Sequence, residues 1–305
     1  MKSVNKQPVV FNSISELHCA LGLPKPLHPL ISLVDYSNIT VDTAKLEKGM
    51  LFNFYKISYK KNFSGKLKYG QSYYDFDEGG LSFIMPNQVI TALEGEVDYG
   101  GYTLLIHPDF IRSYPLGQHI KSYGFFSYGV NEALYLSEKE KQVIVGLFKN
   151  IEMELDSAID QISQDVLVSQ IELLLNYSKR YYSRQFITRK MASSKLLVRF
   201  ESLLADYFDR GKPLSNGLPL VDELAASLNV SAHYLSDMLR TLTGLNSQQH
   251  IHTKLIEKAK ELLVTSELSV AEVAYQLGFE HPQSFNRLFK SKTKLSPLHF
   301  RRSLN

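Results

Sequence analysis

Two stretches in the last third of the chain decide the fold: VDELAASLNVSAHYLSDMLR at residues 221–240 and VAEVAYQLGFEHPQSFNRLFK at residues 270–290. They are two copies of one pattern. Matching residues lie 49 positions apart before a central turn and 50 apart after it, so the second turn is one residue longer. The spacing predicts two helices around a sharp turn, twice over. The matching pairs are Glu223 and Glu272, Ala225 and Ala274, Leu228 and Leu277, Asn229 and Gly278, Leu235 and Phe285, Leu239 and Phe289, and Arg240 and Lys290.

Each shared position suits two helices that cross steeply. A small residue is needed where their backbones approach, which fits Ala225 and Ala274. The reversal between the helices favours a left-handed backbone, which is least strained for Gly and next for Asn. Gly278 and Asn229 stand there, and Phe279 follows as a plug for the corner. We therefore predict two helix-turn-helix units.

Local signals mark where these helices begin. Ser231 can cap the second helix of the first copy, and Ser269 with Glu272 forms a capping box at the start of the second copy. Residues 247–265 carry apolar side chains at helical spacing and predict a long helix that joins the units. One copy alone would also suit an ordinary helical bundle, whereas two copies in register favour DNA binding.

The same region resembles the AraC/XylS family of bacterial regulators over residues 195–304. Two positions depart from the family pattern: Lys294 stands where Gly is usual, and Asp237 stands where a basic residue is common. The resemblance is carried by LIEKAKELL at 255–263, VAYQLGF at 273–279, SFNRLFK at 284–290 and Ser296-Pro297.

The resemblance implies that each second helix enters a DNA major groove, the two grooves lying roughly 34 Å apart. It also implies double-stranded DNA and RNA polymerase as partners, a homodimer, and a small-molecule effector that the sequence does not identify. In the first copy the outward positions are His233, Tyr234, Ser236, Asp237 and Arg240; in the second they are His281, Gln283, Ser284, Asn286, Arg287 and Lys290.

The side-chain chemistry suggests a role for each kind of residue. Gln283 and Asn286 can read adenine edges and Arg287 can read guanine, whereas Lys290 is better suited to phosphate. Asp237 can accept a hydrogen bond from a cytosine amino group, or it can weaken non-specific binding at its half-site; the second interpretation is slightly favoured.

The first half of the chain predicts short strands. Residues 50–59, 81–86, 89–93 and 102–107 are rich in aromatic and branched side chains, and Gly, Asp, Asn and Pro separate them at 75–80 and 99–101. This spacing indicates a small sandwich or barrel. The aromatic side chains between 52 and 102 can line a pocket or form packed core, and core is the favoured interpretation.

Two amphipathic helices follow, the first from a capping box at Ser137 and the second over 162–181. They can cover the open face of the β unit or form a dimer seam, and we favour the seam. In the family, the N-terminal domain is often a cupin-like barrel that senses a ligand or dimerises, and GLSFIMP at 80–86 resembles the second cupin motif.

The predicted fold is therefore α+β. A cupin-like β-barrel with two following helices occupies residues 1–185, and a Ser- and Arg-containing linker occupies 186–196. An all-α domain of two helix-turn-helix units, joined by a long helix, occupies 197–305.

Composition and charge agree with this division. The 305 residues are 44% hydrophobic and 21% charged, enough for two globular domains. Residues 195–305 hold 14 basic and 11 acidic side chains, whereas residues 1–194 hold 20 of each, so the net charge of +3 lies in the C-terminal part. A basic end favours a polyanionic partner.

Other function classes are disfavoured. No apolar run approaches the roughly 18 residues that span a membrane, and residues 1–20 lack the apolar core of a secretory signal, so we expect a cytoplasmic protein. Cys19 is the single cysteine. His107 is expected to be structural, and His250 and His252 lie too far around a helix to chelate one metal. No phosphate loop or nucleophile motif is present, and we expect no enzyme activity, cofactor or metal.

Overall fold

The computed structural model describes residues 8–39, 50–61, 63–69, 72–76, 79–90, 100–129, 132–157, 160, 162–188 and 190–303. The chain divides into two compact units, Met1–Gln185 and Phe186–Asn305. The first contains both strands and helices, and the described part of the second is helical. Within these ranges, no helix has the length and apolar content needed to cross a membrane.

The first unit contains ten strands and five α-helices among its described residues. The strands are β1 (Val9–Phe11), β2 (Ile31–Asp35), β3 (Met50–Phe52), β4 (Tyr55–Lys60), β5 (Phe63–Tyr69), β6 (Ser72–Phe76), β7 (Gly80–Ile84), β8 (Val89–Ile90), β9 (Gly101–Ile106) and β10 (Leu134–Tyr135). The helices are α1 (Ile14–Ala20), α2 (Pro108–Ile111), α3 (Pro115–His119), α4 (Glu138–Asp156) and α5 (Ser163–Thr188), the last running past the end of the unit.

The strands form three sheets. The largest is antiparallel with the order β10-β7-β4-β9-β2, in which Ile57 pairs with Phe83 on one side and Leu104 on the other. A smaller sheet has the order β1-β3-β8, and β5 pairs with β6. The outer strands β10 and β2 of the large sheet are not paired with each other, so the predicted barrel is not closed in the described part of the chain.

Helices rather than sheet closure cover one face of the large sheet. Phe148 of α4 stacks on Tyr102 with ring centroids 5.9 Å apart, and Tyr182 of α5 lies 6.2 Å from Phe83. The two helices therefore cover the β unit, the first of the two roles that the sequence left open. The other face shares a core with the small sheet, to which Phe52 and Leu105 contribute.

The sequence prediction was wrong in detail for the strands. Residues 50–59 form two strands in different sheets because the chain bends at Asn53, whose backbone N–H donates to Phe11 O over 3.0 Å and whose side chain donates to Asn12 Oδ1 over 2.7 Å. Asp75 and Phe76, expected in a separator, end strand β6. Residues 91–93 lie outside the described residues.

Residues 80–86, which were predicted to be cupin-like, begin with β7. A Cβ on Gly80 would lie 2.5 Å from the carbonyl oxygen of Leu134, so glycine permits the close pairing of β10 with β7. The aromatic side chains Phe52, Tyr59 and Phe83 are buried, as expected of packed core.

The second unit begins in helix. Its elements are α6 (Lys190–Asp209), α7 (Lys212–Asn216), α8 (Val221–Ser227), α9 (Ala232–Thr243), α10 (Ser247–Thr265), α11 (Val270–Gln276), α12 (Pro282–Thr293) and α13 (Pro297–Arg302). Residues 186–196, expected to be a linker, are helical on both sides of position 189. Phe186 and Phe200, on the two sides of this position, are both buried, so the segment packs as helix where a linker was expected.

Candidate nucleic-acid interface

Both helix pairs turn through a left-handed residue. Asn229 has φ 60° and Gly278 has φ 86°, and their N–H groups donate to Ala226 O and Tyr275 O, each over 3.0 Å. The next residues, Val230 and Phe279, donate to the carbonyl oxygens of the buried Ala225 and Ala274 over 3.1 and 3.0 Å. The units α8–α9 and α11–α12 thus begin their turns with the same geometry, although the second turn is one residue longer.

Apolar contacts fix the second helix of each unit against the first. Leu235 and Leu239 of α9 are buried, and Phe285 and Phe289 occupy the same places in α12. The Phe279 ring lies 5.5 Å from that of Phe285, so Phe279 fills the corner with aromatic contact.

The likeness of the two units continues beyond the stretches that the sequence matched. Thr243 donates to Leu239 O and Thr293 donates to Phe289 O, each over 2.8 Å. Fifty residues apart, Gly244 and Lys294 then adopt φ 80° and 66°. Both units therefore end in the same helix cap, and Lys294 adopts the conformation that the family's glycine would favour.

The predicted DNA-contacting side chains of α12 and its cap all face solvent. These are His281, Gln283, Ser284, Asn286, Arg287 and Lys290. Asn286, Arg287 and Lys290 also line an open groove whose far side is formed by Val270 and by the start of α13. The helix offers amide groups and two cations to one side of the domain, a combination suited to the edges and phosphates of DNA.

The corresponding side chains of α9 are more engaged within the protein. His233 and Arg240 are exposed, whereas Tyr234, Ser236 and Asp237 are half-buried. Asp237 Oδ1 lies 3.2 Å from Arg240 Nη1, and Ser236 Oγ accepts from Ser247 N over 3.4 Å. The two candidate helices thus present different surfaces, which sequence matching did not reveal.

Long helix α10 joins the units and is held from both sides. Ile251, Leu255 and Ala259 are buried. Lys258 Nζ lies 3.2 Å from Asp209 Oδ1 of α6, and Arg301 Nε donates to Leu263 O over 2.8 Å. Arg301, one of the basic residues of the C-terminal part, therefore contacts the C-terminal end of α10.

The two histidines of α10 make separate local contacts. His250 Nε2 lies 2.8 Å from Thr243 Oγ1, and His252 Nε2 lies 3.0 Å from Gln248 Nε2. Burial lowers the pKa of both rings, and the charge of Lys292 lowers the pKa of His252 further. In the described ranges, no three His, Cys, Asp or Glu side chains are grouped closely enough to hold a metal ion.

His107 has a structural position. It is the N-cap of α2, and its Nδ1 accepts from the backbone N–H of Asp109 over 3.3 Å. The His107 ring therefore caps the N-terminus of α2.

One close contact in the second unit could not be read from the repeat. A Cβ on Gly278 would lie 2.6 Å from the carbonyl carbon of Gly217, in the segment between α7 and α8. Glycine is needed here for its small size as well as its φ angle. A lone glycine at the end of a short helix gave no sequence signal for this contact.

Comparisons with known proteins agree with this geometry. A family model described as a helix-turn-helix domain matches residues 224–303. An uncharacterized HTH-type transcriptional regulator, YfiF of Bacillus subtilis, is 30% identical over 143 residues, which are 47% of this chain and 42% of that protein. The HTH-type transcriptional activator RhaS of Escherichia coli is 28% identical over 135 residues, 44% of each chain. The chain thus spans less than half the length of these relatives.

Among solved structures, the C-terminal domain of the two-component response regulator yesN from Fusobacterium nucleatum is 32% identical. The match covers 33% of this chain and 96% of that one, with a TM-score of 0.30. Both the turn geometry and the family match fall in the same C-terminal part of the chain. The C-terminal part of the chain is thus a helix-turn-helix domain that resembles those of AraC/XylS regulators.

Proposed function

We propose that the chain is a sequence-specific DNA-binding regulator of transcription. One observation carries the proposal. Two helix-turn-helix units, each with a left-handed residue at its turn, are joined by helix α10, which has a buried face, and α12 exposes Arg287 and Lys290. The names of the relatives, a transcriptional regulator and a transcriptional activator, support the same role and favour a protein that is not an enzyme. A regulator of this kind would act in the cytoplasm of a bacterium.

The test is selection of random-sequence duplexes by the full-length chain, followed by anisotropy titration of the selected duplex over a range of salt concentrations. We expect a motif with two half-sites and an affinity that falls with salt as phosphate contacts are lost. The double variant Arg287→Ala/Lys290→Ala should lose binding. The matched control is Arg210→Ala, which removes an exposed cation directly after α6.

Failure would be plain in the same experiment. If no motif is enriched, or if the double variant binds the selected duplex as well as the unchanged chain does, the proposal is wrong.

We further propose that the first unit controls DNA binding, through dimerisation or a small-molecule effector. Large apolar side chains are exposed on α4, directly before α5 and in the middle of α5: Met153 is 61%, Ile162 63% and Leu173 45% exposed. Such side chains suit a contact with a second copy. We propose as well that the sheets of the first unit are cupin-like and that the DNA-bound protein recruits RNA polymerase.

Sedimentation of the full-length chain tests the dimer. Leu173→Glu should shift a dimer to monomer, whereas Lys25→Glu, which reverses an exposed charge between α1 and β2, should leave it unchanged. A monomer at micromolar concentration for the unchanged chain, with or without DNA, would contradict this part of the proposal.

A further inference from the structure

The two second helices carry opposite charges at the same position. Asp237 lies six residues after the N-cap Ser231 of α9, and Arg287 lies six residues after the N-cap His281 of α12. Three residues further on, both helices carry a cation, Arg240 and Lys290. Asp237 lies midway between the buried Leu235 and Leu239, as Arg287 lies midway between the buried Phe285 and Phe289. The two positions therefore face the same way in their units.

The surroundings of the two cations differ. The side chain of Arg240 is 57% exposed and lies 3.2 Å from the Asp237 carboxylate, which is 31% exposed. Among the residues that the structure describes, neither Arg287 nor Lys290 lies within ion-pair distance of a carboxylate. The charge of Arg240 is thus balanced within α9, whereas the cations of α12 are available to phosphate.

Contact with DNA would change the balance of this ion pair. An exposed ion pair contributes only about 0–1 kcal/mol, so it can be exchanged for other contacts. A carboxylate that loses water at an interface needs a donor, since an unsatisfied buried acceptor costs about 1–3 kcal/mol or more. In the major groove the cytosine amino group is the donor that suits Asp or Glu. Without that group, Arg240 is the donor at hand.

We propose that Asp237 and Arg240 act together as a cytosine reader. Where a cytosine faces α9, its amino group becomes the partner of Asp237, and Arg240 turns to a phosphate. Where another base stands there, Arg240 stays with Asp237 and adds little to DNA binding. The proposal rests on the proposed DNA-binding function and assigns to Asp237 the specificity of one half-site.

The first experiment compares base preference. Full-length chain and Asp237→Asn are each put through selection of random duplexes. We expect the unchanged chain to select cytosine at one position of one half-site, and Asp237→Asn to select adenine there, since Asn pairs with adenine edges. Asp237→Ala should lose the preference without gaining a new one. Asp222→Asn, which removes a negative charge from the first turn of α8, is the matched control and should keep cytosine.

The second experiment measures the coupling. Arg240→Ala is titrated against the selected duplex and against the same duplex with that one base pair changed. We expect a loss of roughly tenfold on the cytosine duplex, as for a lost charged DNA contact, and little loss on the changed duplex. In the Asp237→Asn background, Arg240→Ala should weaken binding to both duplexes alike.

The outcomes separate this inference from the function on which it rests. A selected motif whose bases are unaffected by Asp237→Asn, or equal losses for Arg240→Ala on the two duplexes with Asp237 intact, would overturn the cytosine reader alone. The absence of any motif would overturn the DNA-binding function and the reader together.

Discussion

At the scale of single residues, the turn glycines differ in what they must do. Gly244 and Gly278 both have left-handed backbones, with φ 80° and 86°, but a Cβ on Gly244 would meet nothing within 4 Å. On Gly278 it would meet the Gly217 backbone. Size and conformation are thus both constrained at one turn, and conformation alone at the other.

We expect Gly278→Ala to destabilise the protein more than Gly244→Ala does. The left-handed backbone costs about 1–2 kcal/mol for a residue with a Cβ, which is the expected loss at Gly244. The steric overlap at Gly278 should add about 1–3 kcal/mol. Urea unfolding of the full-length chain, followed by far-ultraviolet circular dichroism, measures both. Equal losses would show that the Gly217 segment moves away freely.

Lys294 offers the opposite substitution. It holds φ 66° in the place where the other unit has Gly244, and its side chain is exposed. Lys294→Gly should therefore remove about 1–2 kcal/mol of backbone strain. Because glycine loses about 0.5–1 kcal/mol more conformational entropy on folding, the net stabilisation should be up to about 1 kcal/mol. Lys290→Gly, within α12, should destabilise it by a similar amount because glycine is a poor helix former. A loss of stability for both variants in urea would mean that Lys294 makes contacts worth more than the strain.

Arg287 and Lys290 should affect DNA binding in different ways. Arg287→Ala is expected to cost about 1–3 kcal/mol on the selected duplex and to relax selectivity, whereas Lys290→Ala should mainly reduce the salt dependence of binding. Anisotropy titrations on selected and random duplexes over a range of salt distinguish them. Equal losses for Arg287→Ala on both duplexes would assign Arg287 to the DNA backbone.

The sequence predicted the conformations of some of these residues and not of others. Asn229 and Gly278 could be placed at turns because their residue types favour the left-handed backbone. Lys294 has no such preference, and its conformation follows from the cap that it shares with Gly244. The ion pair of Asp237 with Arg240 depends on rotamers, which no spacing rule supplies.

At the scale of elements, local signals predicted helices well and strands poorly. Helix α10 has the bounds expected from its apolar spacing, and the capping boxes at Ser137 and Ser269 are both formed. A cap needs only residues within one turn of helix. The break at Asn53 depends on its hydrogen-bond partners Asn12 and Phe11, which lie 41 and 42 positions away in the sequence. The residues next to Asn53 in the sequence therefore could not predict it.

The capping box of α11 should make stability depend on pH. Hydrogen bonds from the Ser269 side chain and backbone lower the pKa of Glu272. The folded state therefore favours the ionised carboxylate, and this stabilisation is present above the ordinary carboxyl pKa and lost as pH falls through the lowered one. Glu272→Gln should be less stable than the unchanged chain at neutral pH, and the two should converge in acid. Glu280→Gln is the control; a gap that persists in acid would contradict the expectation.

At the scale of the whole molecule, the sequence predicted two parts but not the sheet arrangement in the first. Strand-rich segments can be recognised one at a time, whereas closure of a barrel depends on how distant edges meet. Here the described strand β10 is two residues long, and helices α4 and α5 cover the sheet face. The C-terminal part was easier because its two units repeat one local pattern.

The fixed length of α10 leads to a prediction about the DNA. If one rigid helix of 19 residues sets the distance between the units, both can reach major grooves only at one spacing. Inserting about half a helical turn, roughly 5 base pairs, between the half-sites should reduce affinity to that of a single half-site, and a full-turn insertion should not restore it. Anisotropy with the three duplexes measures this. Unchanged affinity after either insertion would mean that only one unit binds.

The unlike charges of Asp237 and Arg287 have one more consequence. Two identical DNA-binding units related by symmetry bind a palindromic site and cannot distinguish its two orientations. Two helix-turn-helix units that differ at this position, arranged in tandem in one chain, recognise a sequence that is not palindromic. Bound to such a site, the protein would have one orientation on the chromosome, so that one side of it always faces upstream and the other downstream.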